Sequence, residues 1–297
     1  NGSLFDSVED TNSTDCLAKL AKIGGSSKTP GAYKKNEAFL FIKPHAVTDA
    51  TKAYVKKALA EKGIKIVKEG TLNGTTIGND KLIDNHYYAI ANKASLTKPV
   101  DLNVPDKGKA EFKSTFGLSW EDALKQNKVF NAMDGCAKLE MTGDQMESQW
   151  AITKKAKKLV KFGGGFYAGL VEPLPKVPVF VINGFYMSMR EKYTLPSANL
   201  YWLTVEFDPE KLSWEDFRGK VLGATDPAES AKGSLRKQIY ENWKSLGLEF
   251  QPNVGENGMH RSASPFEAMA ERLNWLKTKL DDDAFAKAML DAGISKE

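Results

Sequence analysis

Apolar positions repeat along the chain with two periods, and each period predicts a different element. Residues 38–42 form a short continuous apolar run that ends at Pro44, as expected of a buried strand. Residues 50–62 follow the helical period and end before Gly63, a typical residue after a helix end. Residues 199–207 show the clearest strand pattern. These segments predict an ordered body that begins near residue 38.

Further elements alternate along the rest of this body. A second strand is predicted at 64–72, and helices are predicted at 81–93, 185–193, from Ser213, at 234–243 and in polar turns within 277–297. The alternation predicts an α+β fold with one mostly antiparallel sheet and helices on its faces. Residues 1–36 are polar and rich in Ser, Asn, Lys and Gly, so they are expected to form an N-terminal arm.

Residues 94–182 differ from this body, because prolines punctuate both of their ends. Two helices are predicted there, one from Ser119 and a lysine-rich one at about 145–161. A basic helix face can bind anions, but it is more often simply solvated. The Gly163-Gly164-Gly165 run lacks the lysine and hydroxyl of a nucleotide-binding loop and indicates a flexible turn. The segment is therefore interpreted as a mainly helical insertion.

One histidine lies just ahead of a well-marked helix start. Ser264, Pro265 and Glu267 form a capping signature: an N-cap hydroxyl, proline at the first helical position and Glu three residues after the cap. The amphipathic pattern continues to Leu276. His260 thus lies close to a helix N-terminus, where positive potential suits a phosphate, although a lone histidine is more often structural.

Composition narrows the class of protein. The 297 residues are 41% hydrophobic, 27% charged and 10% aromatic, which is enough for one or two globular domains. A net charge of +4 favours small anions slightly and does not indicate nucleic acid. Cys16 and Cys136 are too few for a disulfide framework, so we expect a reducing intracellular compartment, cytoplasm or organelle matrix. No apolar run is long enough to span a membrane.

Phosphoryl transfer is the chemistry that these residues permit. A neutral imidazole can attack a phosphoryl group near neutral pH, and catalysis then depends on positioned cations and hydrogen-bond donors. Glu271, on the helix after His260, could orient the imidazole. Taken singly, each candidate also fits a structural role, as a solvated strand end, a turn residue or a surface helix charge. Further candidates at the ends of predicted elements are Lys43, Thr225, Arg236 and Asn257.

Together these segments resemble the nucleoside diphosphate kinase family. The resemblance covers about 38–93 and 183–276 and rests on four segments in the family's order. These are Phe39-Leu40-Phe41-Ile42-Lys43-Pro44-His45-Ala46-Val47; His86-Tyr87; Leu222-Gly223-Ala224-Thr225-Asp226-Pro227 with Gly233-Ser234-Leu235-Arg236; and Asn257-Gly258-Met259-His260-Arg261-Ser262.

The resemblance implies a ferredoxin-like βαββαβ domain formed by 37–93 and 183–276. It implies transfer of a γ-phosphate from a nucleoside triphosphate to a nucleoside diphosphate through a phosphohistidine on His260, with Mg²⁺ held by the nucleotide phosphates. Ser262 and Glu271 would hold the histidine, and Phe185, or equally Tyr186, would stack on the base. The residues implied to contact phosphates and sugar are Lys43, Tyr87, Thr225, Arg236 and Asn257.

Several positions depart from the family pattern. Gly219 replaces the arginine that precedes Gly-Ala-Thr-Asp-Pro, although Arg218 and Lys220 flank it. Arg261 and Ala263 replace a glycine and an acid around Ser262, and His45 replaces an acid after Lys-Pro. The 94–182 insertion is the largest change, since it could narrow substrate choice, block oligomer contacts or bind a protein partner.

These departures leave alternatives open. The chain could be an inactive or weakly active kinase-like scaffold subunit of a larger assembly, or it could relay phosphate from the histidine to a protein. A homo-oligomer is a further expectation, and residues 277–297 are expected to form a C-terminal tail. The proposed site needs a neutral imidazole, so the rate should be lost below about pH 6, where an unperturbed histidine protonates.

Overall fold

The computed structural model describes residues 3–295, which form two compact units. The first unit runs to Asn73 and resumes at Asn199, and the second unit is Gly74–Ala198. The predicted insertion, 94–182, lies inside the second unit. The predicted arm and tail include residues 1, 2, 296 and 297, which lie outside the described residues.

Strands and helices are numbered here along the described chain. The strands are β1 (Asn36–Ile42), β2 (Lys65–Asn73), β3 (Val129–Asn131), β4 (Leu159–Gly163), β5 (Phe166–Val171), β6 (Val179–Ile182), β7 (Asn199–Phe207) and β8 (Met259–Arg261). The helices are α1 (Leu4–Ser7), α2 (Ser13–Ile23), α3 (Asp49–Glu61), α4 (Gly74–Asn79), α5 (Leu82–His86), α6 (Tyr88–Ala91), α7 (Asp106–Phe116), α8 (Trp120–Lys125), α9 (Ala132–Leu139), α10 (Gly143–Lys155), α11 (Tyr186–Thr194), α12 (Trp214–Asp216), α13 (Leu235–Glu241), α14 (Pro265–Trp275) and α15 (Ala284–Asp291).

The first unit is built on a four-stranded antiparallel sheet. Its strand order is β2-β7-β1-β8, so β1 lies between β7 and β8. The strand predicted at 199–207 is confirmed with the same bounds, and the helix predicted at 50–62 corresponds to α3. Since β1 is a central strand, its apolar side chains are buried on both faces of the sheet.

Alternate residues of β1 serve two different cores, as the pleat of a strand requires. Leu40 and Ile42 belong to a core that also holds Val55 of α3 and Ile239 of α13. Phe41 points to the other face, where its ring centroid lies 5.3 Å from that of Trp275 on α14. Helices therefore cover both faces of the sheet, and α14 is held directly against the central strand.

Trp214 provides a stability test of the first core. Its side chain is 0% exposed, and its Nε1 has no hydrogen-bond partner. We expect Trp214→Ala to lower the free energy of unfolding by about 3–5 kcal/mol, whereas Trp214→Phe should cost less than half of this because it also removes the unpaired donor. Urea unfolding would measure both, with exposed Val254→Ala as the control. Equal losses in the Phe and Ala variants would contradict this account.

The second unit has its own four-stranded sheet, which the sequence pattern did not predict. The order is β3-β6-β5-β4, with β3 parallel to β6 and the other pairs antiparallel. The helix predicted at about 145–161 is wrong in its second half, because α10 ends at Lys155 and β4 begins at Leu159. Lys157, at φ 57°, makes the turn between the two. The Gly163-Gly164-Gly165 run connects β4 to β5 as a hairpin turn.

The helix predicted at 81–93 is interrupted. Tyr87 leaves the helical conformation between α5 and α6, and a π-helical turn follows at Asn92–Leu96. Fully buried Asp84 explains why α5 is held in place. Its carboxylate accepts hydrogen bonds from Ser95 Oγ at 2.6 Å, from Arg190 Nε at 3.0 Å and from Tyr186 Oη at 3.1 Å. A buried carboxylate needs such partners, so this network fixes α5 against α11.

The N-terminal residues pack onto the first unit. Leu17 and Leu20 of α2 lie in one apolar cluster with Met269 of α14 and Phe285 of α15. Cys16 is buried in the same cluster, and burial raises the pKa of its thiol to about 11, so the thiol stays protonated at neutral pH. Among residues 3–295, no helix combines the length and apolarity needed to cross a lipid bilayer.

Candidate active site

His260 lies in the middle of β8, directly opposite Phe41 of β1. Its imidazole stacks on the Phe41 ring, with centroids 4.6 Å apart and planes inclined by 23°. The side chain is 15% exposed. The ladder and the stacked ring together fix both the backbone and the plane of the imidazole, so the histidine sits on a rigid edge strand.

Glu271 of α14 holds one side of this imidazole. Nε2 of His260 lies 2.5 Å from Glu271 Oε1, and Ser262 Oγ donates to Oε2 of the same carboxylate at 2.6 Å. Ser262 Oγ also accepts from the backbone N–H of Phe39 at 3.0 Å. A neutral imidazole that donates its Nε2 proton to a carboxylate carries its lone pair on Nδ1. In that tautomer Nδ1 is the basic nitrogen of the ring.

The imidazole is kept neutral by its surroundings. Burial lowers the pKa of His260 well below its ordinary value, and the positive charges of Arg261, Lys43 and Arg236 lower it further. The predicted rate loss below about pH 6 assumed an unperturbed histidine, and the lowered pKa shifts that loss to lower pH. An uncharged ring in a cationic setting suits attack on an anionic phosphoryl group.

Lys43 supplies a buried cation immediately after β1. Its side chain is 8% exposed, and its Nζ donates to the carbonyl of Gly255 at 3.2 Å. Its pKa is lowered to about 8, mainly by burial and partly by the positive charge of Arg236, while Glu256 opposes the shift. The same charge that depresses the pKa of His260 is thus itself only partly retained above pH 8.

The guanidinium of Arg236 donates hydrogen bonds to backbone carbonyls. From α13 its Nε and Nη2 donate to the carbonyl of Met259 at 3.1 and 2.8 Å, and its Nη1 donates to the carbonyls of Gly223 and Ala224 at 3.1 and 2.9 Å. Arg236 therefore ties the residue before His260 to the Gly-Ala-Thr-Asp-Pro turn. The predicted phosphate contact of this arginine is not tested by these bonds.

Asn257 and Thr225 meet beside this turn. Asn257 Nδ2 donates to the carbonyl of Thr225 at 2.9 Å, while Asn257 Oδ1 is buried without a hydrogen-bond partner. The Thr225 residue is exposed. The structure thus brings six of the predicted residues into the first unit's site region around β8. They are Lys43, Arg236, Asn257, His260, Ser262 and Glu271, with Thr225 at its edge.

The cations suggested as substitutes at Gly219 are already paired. Arg218 forms ion pairs with Glu9 and, through Nη1, with Asp10 Oδ2 at 2.6 Å. Lys220 pairs with Asp216 at 2.8 Å. No local pattern predicts the Arg218 pairs, because their partners lie more than 200 residues earlier in the chain. A substitute role for Arg218 would require these pairs to open.

Two predicted nucleotide contacts, Tyr87 and Phe185, belong to the second unit. Both rings are partly buried and pack against a core cluster of that unit. Tyr186, the alternative to Phe185 as a base-stacking residue, is 1% exposed and its hydroxyl donates to Asp84. Tyr186 is therefore a core residue, and Phe185 is the more accessible of the two rings.

The start of α14 confirms part of the predicted capping pattern. Ser264 Oγ accepts from the Glu267 N–H at 3.1 Å, and Pro265 occupies the first turn. The Glu267 carboxylate accepts from the N–H of Ala263, one residue earlier than in a capping box. Burial, and to a smaller extent the negative charge of Glu271, raise the pKa of Glu267 to about 7.

Glu267 makes a pH-dependent contribution to stability. Its pKa rises from 4.5 in the unfolded chain to about 7, so the folded protein holds a proton that the unfolded chain has released. This stabilisation is complete below pH 4.5 and is lost as the pH rises through 7. We expect wild type to lose more unfolding free energy than Glu267→Gln between pH 6 and pH 8, measured by urea unfolding, with exposed Glu210→Gln as the control. Parallel curves for wild type and Glu267→Gln would refute it.

Comparison with known proteins gives matches at the level of solved structures. No protein-family model matches the chain, and no curated protein matches it. Nucleoside diphosphate kinase from Encephalitozoon cuniculi is similar at 12% identity and TM-score 0.40, over 84% of this chain and 95% of that chain. The Aquifex aeolicus nucleoside diphosphate kinase is similar at 12% identity and TM-score 0.39, over 81% and 94%. A nucleoside diphosphate kinase family protein from Babesia bovis is similar at 12% and 0.39, over 83% and 90%.

Proposed function

We propose that the chain is a phosphotransferase of the nucleoside diphosphate kinase type. The observation that carries the proposal is the His260 Nε2–Glu271 contact of 2.5 Å on a ring whose pKa is depressed by burial and by three cations. A carboxylate would also satisfy the N–H of a buried structural histidine, so it is the combination with the cationic setting that favours a catalytic role. A nucleophile for an anionic phosphoryl group needs both.

The reaction would proceed in two displacements. The Nδ1 lone pair of His260 attacks the γ-phosphorus, the bond from phosphorus to the β,γ-bridging oxygen breaks, and the nucleoside diphosphate leaves. Positive charge then develops on the imidazole, and the hydrogen bond from Nε2 to Glu271 stabilises it. In the second step a terminal oxygen of another nucleoside diphosphate attacks the phosphorus, and the phosphorus–nitrogen bond breaks. Lys43 would stabilise charge on the phosphate oxygens in both directions.

The fold of the first unit supports this proposal. Its four strands stand in the spatial order β2-β7-β1-β8. Along the chain, α3 lies between β1 and β2, and α13 lies between β7 and β8. We take this as a ferredoxin-like βαββαβ unit in which Gly74–Ala198 is inserted between β2 and β7. The order places β8 beside β1, and so brings His260 next to the strand that immediately precedes Lys43.

Mg²⁺ fits this site as a partner of the nucleotide and not of the protein. The charges that lower the pKa of His260 come from Arg261, Lys43 and Arg236, and these cations suit phosphate oxygens. Bound to the phosphates, Mg²⁺ would neutralise part of their charge. Lys43 remains the cation of this chain that we assign to the transferred group, and Thr225, Asn257, Tyr87 and Phe185 are proposed to contact the nucleotide.

Labelling with [γ-³²P]ATP and Mg²⁺ tests the proposal directly. We expect a phosphoenzyme that is labile in acid, stable in base and discharged by a nucleoside diphosphate, because this is the behaviour of a phosphoramidate bond. Label that is stable in acid would indicate a hydroxyl acceptor. Absence of label on folded protein would defeat the proposal.

A scaffold without activity is the second candidate, and one observation favours it. Arg236 uses its guanidinium on three backbone carbonyls, and Arg218 is paired with two acids, so fewer cations face a phosphate than the resemblance implies. Labelling with [γ-³²P]ATP, combined with calorimetric titration with Mg·ADP, separates the candidates. ADP binding together with labelling supports the enzyme, whereas ADP binding without labelling supports the scaffold. A protein contact through 94–182 and a homo-oligomer stay predictions.

The depressed pKa of His260 gives an expected pH profile. Deprotonated imidazole is the reactive form, and a lowered pKa keeps the ring deprotonated when the pH falls below 6.5, the ordinary value. We therefore expect the initial rate of phosphoenzyme formation to be unchanged between pH 7 and pH 6 at saturating Mg²⁺. A fall in rate that follows an ordinary imidazole titration near pH 6.5 would show that the ring is not shielded in this way.

A further inference from the structure

His45 contacts the backbone two residues before His260. Its Nε2 accepts a hydrogen bond from the N–H of Gly258 at 3.1 Å. Gly258 is buried, whereas His45 lies in the turn that follows β1. A buried N–H that loses its acceptor costs about 1–3 kcal/mol. The imidazole thus provides a partner that this segment of backbone needs.

The turn at Lys43–His45 holds both polar groups of Gly258. While His45 accepts from the N–H, the backbone N–H of Lys43 donates to the Gly258 carbonyl at 2.9 Å. Gly258 has φ +86°, a conformation that L side chains rarely adopt, and a Cβ there would lie 3.2 Å from Ile239 Cγ2. The position of this glycine is therefore determined from two sides by one turn.

The ring of His45 is itself held in place. It stacks on Phe250, with centroids 5.6 Å apart and planes inclined by 23°. To accept through Nε2, the neutral ring must carry its proton on Nδ1.

Gly258 in turn determines where β8 begins. Met259 follows it, with its carbonyl held by Arg236, and His260 comes next. We propose that His45 is a positioning residue for His260, acting through the Gly258 N–H. Its kinetic consequence rests on the proposed function. A displacement of a reacting group by about 1 Å can cost about a hundredfold in rate, so a loosened Gly258 should lower turnover more than substrate binding.

Three variants separate the hydrogen bond from the packing of the ring. His45→Phe keeps an aromatic ring but removes the acceptor. His45→Gln restores an acceptor oxygen without the ring. Phe250→Leu removes the stacking partner and leaves the acceptor in place. The measurements are kcat and KM for phosphate transfer from Mg·ATP to a nucleoside diphosphate, and hydrogen exchange of the Gly258 amide by NMR.

We expect His45→Phe to lower kcat by about tenfold or more with KM changed less than about twofold, and to speed Gly258 exchange by about tenfold. His45→Gln should recover most of both effects, and Phe250→Leu, which loosens the ring but keeps the acceptor, should lose clearly less than His45→Phe. Wild-type kcat and exchange in His45→Phe would overturn the proposal. Equal damage in Phe250→Leu and His45→Phe would also overturn it, because ring packing would then be responsible.

The exchange measurement does not depend on activity. If wild type forms no phosphoenzyme, the proposed function fails, but the Gly258 exchange rates still decide the role of His45. Faster exchange in His45→Phe, reversed in His45→Gln, would support the link between His45 and the start of β8. Unchanged exchange would remove it, whatever the protein catalyses.

Discussion

His260→Gln is expected to abolish the acid-labile phosphoenzyme and to lower turnover by at least about a thousandfold, because the phosphorus–nitrogen bond of the proposed intermediate forms on this imidazole. The glutamine side chain keeps similar size and can still contact Glu271. The fold should therefore survive, since β8 is held by its ladder to β1 and by Arg236. Circular dichroism and urea unfolding would verify this, and labelling with [γ-³²P]ATP would measure the loss.

A second variant, with an intermediate expected effect, makes this test more specific. Glu271→Gln should fall between wild type and His260→Gln, because an amide oxygen can accept the Nε2 proton but cannot neutralise the charge that develops on the ring. Retention of full labelling in His260→Gln would exclude His260 as the phosphorylated residue. Equal activity of wild type and Glu271→Gln would show that the 2.5 Å contact has no part in the chemistry.

Lys43→Met is expected to lower kcat/KM by about a hundredfold to a thousandfold, the usual effect of removing one positioned charge stabiliser. The variant should be at least as stable as wild type. Burial lowers the pKa of Lys43, which means that folding disfavours its charged form, and methionine has no charge to bury. Lys57→Met, at a side chain that is 77% exposed on α3, is the matched control and should retain full kcat/KM.

Lys43 also gives an alkaline limb to the pH profile. The folded-state pKa is about 8, below the ordinary 10.5, so the cation is present below pH 8 and is lost as the pH rises through 8. In the free enzyme kcat/KM should fall across that range. In Lys43→Arg, where the guanidinium stays charged, kcat/KM should be lower but independent of pH between 7 and 9. An unchanged alkaline limb in Lys43→Arg would assign the limb to another group.

Much of the first unit was predictable from local patterns. The strand at 199–207 and the start of α14 were found because alternation and capping are local signals. The strands of the second unit were missed for the opposite reason. β3 and β6 have three and four residues and pair in parallel, so their apolar runs are too short to show a period.

The residues of the candidate site could be predicted from the sequence, but their hydrogen bonds and ion pairs could not. The order of the motifs indicated His260, Glu271 and Lys43, and in the structure Glu271 contacts His260 at 2.5 Å while the charge of Lys43 lowers the pKa of that histidine. The acceptors of Arg236 and the acids that pair with Arg218 depend on tertiary contacts, which no local pattern encodes. The depression of the pKa of His260 likewise comes from burial and from cations contributed by other elements.

The packing of α2 has a practical consequence for anyone preparing shortened forms of this protein. Val8, Leu17 and Leu20 pack against Met269 and Phe285, so removal of the first two helices would leave a solvent-exposed hydrophobic patch. Such patches promote self-association. A version that starts near residue 36 should precipitate or form soluble aggregates, which size-exclusion chromatography would detect. A loss of activity in that version would then be caused by aggregation and not by the loss of a catalytic group.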